Sequence, residues 1–369
     1  MERKGQIEVT FNWIYIVIAG AVILLFFTGI IIKQKAASEE RLAVDVVNIL
    51  ESIFSGAEVS ENTKNFVETG ALADEILYFS CQDGIGEYGL QGYDYGVQNT
   101  VDPIFSPAEI KSPLLILWSL PYYLPFKVID FLIVTSSNTK YYFIKDGSPF
   151  EEQLDLAMGE QDQRLSINHE FISFSELSQI KQGNNFQVRL VFLNEIDIDD
   201  IPTFLEIDRL TAVVFSNAGI KITYYKRGEN RWELIDSADI ISLDDQDRDA
   251  AKIAAIFAEN GEMYKCNMEK VFKRLSYLIQ VYGKENADGV IGGKLGELKQ
   301  YYEEAIYPNC QSSYYEGITV PLYTLKHQVD NCVFESYNSD SCKSLDNTAA
   351  DIAIENEKLD TAVSCTRLY

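Results

Sequence analysis

Histidine is almost missing from this chain of 369 residues, with only His169 and His327, and the four methionines, three tryptophans and nine prolines are few for the length. Two histidines leave little room for metal or acid–base chemistry. Ser173 stands where HExxH would need its second histidine after His169-Glu170, and no GxSxG accompanies either one. No Asn-x-Ser/Thr sequon occurs, so N-glycosylation at that acceptor is not expected. Positive charge is also short, 31 basic against 56 acidic residues for a net charge of -25, spread along the chain rather than gathered in a tail. Such a surface repels phosphate backbones and excludes nucleic acid as a natural partner. Solvation of a surface domain accounts for the acidity, and cation binding has no motif behind it.

Three glycine- or acid-rich stretches imitate ligand motifs and fail on context. Gly84, Gly86 and Gly89 spell GxGxxG, but Gly92, Tyr93 and Gly96 continue a loop where a helix should receive the pyrophosphate. Asp288 to Gly296, DGVIGGKLG, lacks the first glycine and the final Ser or Thr of a phosphate loop. Asp197, Asp199 and Asp200 are followed by Pro202 and lack the glycine of a calcium loop, so they read as solvated acids. No cofactor, metal or catalytic residue is expected, although carboxylate-only chemistry stays open because acids are everywhere and no pair stands out.

The six cysteines, Cys81, Cys266, Cys310, Cys332, Cys342 and Cys365, contain no CxxC pair. An even count without metal spacing favours disulfides and an extracytoplasmic setting. Of the many possible pairings, a local Cys332–Cys342 loop and a Cys266–Cys310 bridge between neighbouring helices are preferred, leaving Cys81 with Cys365.

What is present begins with Phe11 to Ile32, FNWIYIVIAGAVILLFFTGIII, which carries no charge. As a helix it would reach about 33 Å, enough to cross a hydrocarbon core roughly 30 Å thick. Residues 1–10 are then a short cytoplasmic or leader segment, 11–32 a transmembrane helix with the lipid bilayer as partner, and 33–69 a helical stalk and linker. No glycine or proline interrupts residues 33–55, and Leu42, Val46, Ile49, Leu50 and Ile53 share one helical face. That stripe packs against the protein's own head or against a partner helix, with self-packing preferred.

Arg3-Lys4-Gly5-Gln6 directly ahead of the long apolar helix resembles the class III signal of archaeal type IV pilin-like proteins. The resemblance covers roughly the first 35 residues. It implies cleavage between Gly5 and Gln6, a mature protein that keeps its membrane helix, and a place in or near a surface filament with itself or other surface proteins.

Past residue 70 the expected fold class is α/β, with a central sheet domain over 70–240 and a disulfide-pinned helical bundle over 241–369. Residues 75–81 form a strand and the Gly- and Tyr-rich stretch 83–97 a loop. Leu114–Trp118, Val128–Val134, Tyr141–Ile144, Phe186–Leu193, a short segment near Ile201–Leu205, Thr211–Phe215 and Ile220–Tyr225 are strands, with a helix over Pro149–Met158. The aromatic group Trp118, Tyr122, Tyr123 and Phe126 reads as core. Helices follow over 244–260, Glu262–Tyr282, Leu295–Tyr307, a stretch reaching Cys332, and Thr348–Tyr369.

If the sheet is mostly parallel, ligands would sit beyond the carboxyl ends of its strands. Ser136 and Asn138, Asn194, and Asn217 occupy such positions and make the candidate ligand site, although Ser and Asn also simply make turns there. Two functions result. One is a non-enzymatic, single-pass surface protein acting in adhesion, envelope structure or filament assembly. The other is an anchored receptor or enzyme using that polar cluster for a small ligand.

Overall fold

A computed structural model describes residues 43–57, 62–70, 73–93, 95–159, 164–181, 183–202, 207–229, 231–243, 249–285, 291–304, 313–334, 337, 339–361 and 365–369. The transmembrane expectation at 11–32 and the signal residues Gly5 and Gln6 lie outside them. Among the described residues no helix is long and apolar enough to cross a membrane.

The two longest strands come from the most apolar stretches of the head. Strands β7 (Leu114–Tyr123) and β8 (Lys127–Ser136) form an antiparallel hairpin that is buried almost throughout. Strand β1 (Lys64–Glu68) flanks β7 and β5 (Ile104–Phe105) flanks β8, giving a four-stranded sheet. Pro121 is tolerated within β7 because β1 reaches only from Leu114 to Trp118, leaving the far part of the strand an edge with no second ladder to break.

After a two-residue link the chain enters a second, six-stranded sheet. Its order is β10 (His169–Ile172), β9 (Thr139–Ile144), β11 (Gln187–Phe192), β12 (Leu210–Ser216), β13 (Lys221–Arg227) and β14 (Trp232–Asp239). The first four run parallel, β13 runs opposite to them and β14 turns back antiparallel to β13. Helix α2 (Pro149–Met158) starts where Ser148 accepts a hydrogen bond from the Glu151 amide and Pro149 supplies the fixed backbone angle of a first turn. The strands expected from apolar runs are therefore present, and the head is a mixed α/β fold. The segment near Ile201–Leu205 is no strand over its described part, since a 3-10 turn, Ile198–Asp200, ends at Ile201.

The glycine-rich stretch expected to be a loop is mostly sheet. Strands β2 (Leu77–Gln82), β3 (Ile85–Leu90) and β4 (Gly96–Asn99) form an antiparallel meander with β6 (Glu109–Ile110) against β2. Asp83 and Gly84 take φ of 52° and 73°, the left-handed pair that a two-residue hairpin turn needs. Glycine here admits close packing rather than looseness. A Cβ on Gly89 would fall 2.8 Å from the Tyr95 carbonyl and 2.9 Å from the Tyr78 ring.

Helix α1 (residues 43–57) packs on this meander through Ala43, Val47, Leu50, Phe54 and Ala57, so its apolar face does turn to the protein's own head. The face is rotated from the expected stripe. Ile49 is 58% exposed and Val46 and Ile53 only partly covered, because the meander offers a concave seat for Phe54 between Phe79 and Tyr88.

Helix α3 (Ala250–Phe257) is apolar and buried except at Lys252, and α4 (Gly261–Tyr282) follows it. Helices α5 (Gly293–Glu304), α6 (Ser313–Phe334), α7 (Asp340–Lys343) and α8 (Leu345–Thr361) complete the chain, with a two-stranded pair, β15 (Lys284–Glu285) and β16 (Ile291–Gly292), before α5. Residues 365–369 are not helical, and Leu368 is fixed against α8 by Asn356, which accepts from the Leu368 amide at 2.7 Å. The expectation of a helix to Tyr369 is thus shortened.

One apolar cluster runs from β7 through both larger sheets, α3 and α4 to α8, so residues 70–240 and 241–369 share a core. Trp118, Tyr141 and Phe257 meet at its centre, the rings of Tyr141 and Phe257 lying 4.8 Å apart. A second cluster joins α1 and the meander to the other face of β7 and β8, and a third lies on the outer face of the six-stranded sheet.

Candidate functional site

Helix α4 touches all three of the larger sheets and helices α5 and α6. Its start is secured by two groups. Asn260 accepts from the Met263 amide at 2.9 Å, and the Asp236 carboxylate from β14 accepts from the Gly261 and Glu262 amides at 2.7 Å each. Negative charge there meets the positive end of the helix dipole. Gly261 allows this approach, since a Cβ would sit 2.9 Å from the carboxylate.

One face of α4 meets the β2–β3 hairpin, and there the contact is unusual in composition. Met263, Cys266, Asn267 and Lys270 point to it. Asn267 accepts from the Ile104 amide at 3.2 Å and donates to the Ile104 carbonyl at 2.8 Å, imitating a neighbouring strand. The Lys270 ammonium donates to the Asp102 carbonyl and to Asn267 Oδ1, both at 3.1 Å. A Cβ on Gly86 would lie 2.7 Å from that ammonium, which is the packing reason for the second glycine of the GxGxxG pattern. Burial pushes Lys270 down from its usual 10.5 to about 8, against the opposing pull of Asp102.

Above this contact runs a groove of about 870 Å³ between the hairpin and α4, bordered by Asp83, Glu87, Glu262, Lys265 and Glu269 and by the Cys81–Cys266 disulfide. Glu87 accepts from the Tyr78 hydroxyl at 2.6 Å. Burial raises Glu269 above the ordinary carboxylate range, with Lys273 lowering it and Asp83 raising it. Among the described residues no cluster of three or more His, Cys, Asp or Glu is arranged to hold a metal ion. The chemistry the groove presents is carboxylate charge and an accessible disulfide.

The disulfides correct part of the expected map. Cys332–Cys342 is present, but Cys266 pairs with Cys81 rather than Cys310, and Cys81 therefore does not pair with Cys365. Cys365 is bonded to a partner outside the described residues. The reason is packing: residues 185 positions apart are brought to a Cα separation of 5.8 Å when α4 crosses the meander, which no spacing rule reveals.

The expected ligand residues are divided between two ends of the six-stranded sheet. Asn194 and Asn217 follow β11 and β12 and lie exposed at the carboxyl ends of these parallel strands. Ser136 and Asn138 close β8, in the other sheet, and stand where β9 begins. The Asn138 carbonyl accepts from the Phe186 amide at 2.8 Å, at the amino end of β11. The strand between them puts the two pairs roughly 20 Å apart. Ser136 is buried and shares a hydrogen bond with Thr139, Asn138 donates to the Lys111 carbonyl, and Asn217 has the positive φ of a turn. His169, on β10, lies 3.5 Å from Asp155 through Nε2 and 2.8 Å from the Ile167 carbonyl through Nδ1.

Sequence reasoning missed Asn267, Lys270 and Asp236. Asn267 and Lys270 lie on the same helical face as Cys266, polar residues among the buried positions of an amphipathic helix, and that departure from pattern was the available signal. Comparison with known proteins finds no matching family model, no similar curated protein and no similar solved structure.

Proposed function

We propose that this is a single-pass, membrane-anchored extracytoplasmic protein without enzymatic activity, whose described residues form the head of a surface structure of the pilin-like kind. The observation that carries the reading is the long-range Cys81–Cys266 disulfide beside the core, together with Cys332–Cys342 and a bonded Cys365. Disulfides that close such large loops persist on the oxidising side of a membrane. The apolar run Phe11–Ile32 supplies the anchor and Arg3-Lys4-Gly5-Gln6 the processing signal. The ligand-binding alternative loses the convergence it relied on, because its four polar residues lie at opposite ends of the sheet.

The test is made on protein from its native membrane. The amino terminus should be Gln6, and a thiol reagent applied to the denatured protein without reductant should label no cysteine. An intact Met1 would remove the filament reading, and six labelled thiols would remove the extracytoplasmic one.

A further inference from the structure

We propose that Cys81–Cys266 is a redox-sensitive latch: a dithiol reductant opens it and frees the β2–β3 hairpin from α4 while the main core stays folded. Elsewhere α4 is fastened by apolar burial, with Tyr264, Met268, Val271, Phe272, Leu275 and Ile279 in the first cluster. On the hairpin side only Met263 joins the second cluster. The rest of the contact is the disulfide and the Lys270 ammonium packed against Gly86, an ammonium that burial disfavours, because Asn267 and Lys270 direct their hydrogen bonds to Ile104 and Asp102, outside the hairpin. A covalent bond here does what apolar area does on the other faces.

Access is unequal among the disulfides. Cys332 and Cys342 are 2% and 0% exposed within the first cluster. Cys81 is half-buried and borders the open groove, whereas Cys266 is 5% exposed. A thiolate of the reductant therefore attacks Cys81 Sγ, forming a mixed disulfide and expelling Cys266 as a thiolate that takes up a proton. The reductant's second thiol then closes on its own sulfur, releasing the Cys81 thiol. The protein gains two electrons and two protons, and the dithiol becomes a cyclic disulfide. Once the hairpin lifts, Lys270 regains water, which opposes reclosure, and Met263 loses its cover, while Phe79 and Tyr88 stay packed on Phe54 of α1. The latch is independent of which side of the membrane the head occupies.

Hydrogen exchange on the full chain in detergent at neutral pH, with and without a dithiol reductant, tests it. Amides in residues 77–90 should exchange at least about tenfold faster after reduction while those of Ala250–Phe257 keep their protection. The double variant C81S/C266S should reproduce this without reductant. Pulsed alkylation should label Cys81 and Cys266 before Cys332 and Cys342. Unchanged exchange in 77–90, loss of protection in both segments together, or the reverse order of alkylation would overturn the latch.

Discussion

Lys270 provides the sharpest test of the α4 interface, because its burial predicts the sign and size of a pH effect. The folded chain holds the ammonium near pKa 8, against 10.5 when it is exposed. At roughly 1.4 kcal/mol per pH unit this gap is worth about 3 kcal/mol. Below pH 8 the lysine is charged in both states and the full cost of burying that charge is present. Between pH 8 and 10.5 the unfolded chain binds the extra proton, so stability rises with pH across that window. Lys270→Met keeps an unbranched apolar stem and removes the titrating group. Urea unfolding of both proteins at pH 7, 8, 9 and 10 gives a stability difference in which every other group cancels. That difference should move toward the native protein by about 2 to 3 kcal/mol between pH 7 and 10. The series stops at pH 10 because burial holds Tyr122, Tyr224 and Tyr264 well above their usual 10, and above it unfolding would release their protons. A difference that stays flat within about 0.5 kcal/mol would mean that Lys270 reaches water in the folded state and that the interface is looser than its hydrogen bonds indicate.

Two other positions test how the core is assembled. Arg189 on β11 is 4% exposed and donates to the carbonyls of Ile256, in the last turn of α3, and of Ala258 and Glu259 just past it, so Arg189→Met should leave buried acceptors unpaired and cost about 3 kcal/mol in urea unfolding. An unchanged midpoint would show that water replaces the guanidinium. Asp236→Ala removes the carboxylate at the start of α4 and should lower stability by about 1 to 2 kcal/mol, with faster amide exchange confined to Gly261 and Glu262. Exchange unaltered at these two amides would deny the cap.

Local chemistry made much of the fold legible. Apolar, β-branched runs at Val128–Val134, Phe186–Leu193 and Thr211–Phe215 suggested strands covered on both faces, and they lie in buried strands. The helix expected over Pro149–Met158 is α2, whose start the structure shows to be set by a Ser148 side-chain acceptor and the preset φ of Pro149. The reading failed where glycine does two jobs. Between Asp83 and Gly96 the same residue type that frees a loop also lets strands and side chains approach, and only the neighbours Tyr78, Tyr95 and Lys270 distinguish the two. Strand β14 was missed because a sheet-edge strand buries only part of its length and shows a weak pattern.

The candidate site divides in the same way. Taken alone, the amino-acid sequence determined an apolar run long enough to span a bilayer, an acidic chain without metal or nucleotide motifs, and an even set of cysteines. Those are properties of residues and their near neighbours. Tertiary structure alone decided that Cys81 meets Cys266 across 185 residues, that Asn138 and Asn194 lie at opposite ends of a sheet, and that Lys270 is buried under a hairpin glycine. The first and last depend on the crossing of α4 over the meander and the second on the parallel pairing of β9 with β11, packings of distant segments that no local pattern encodes.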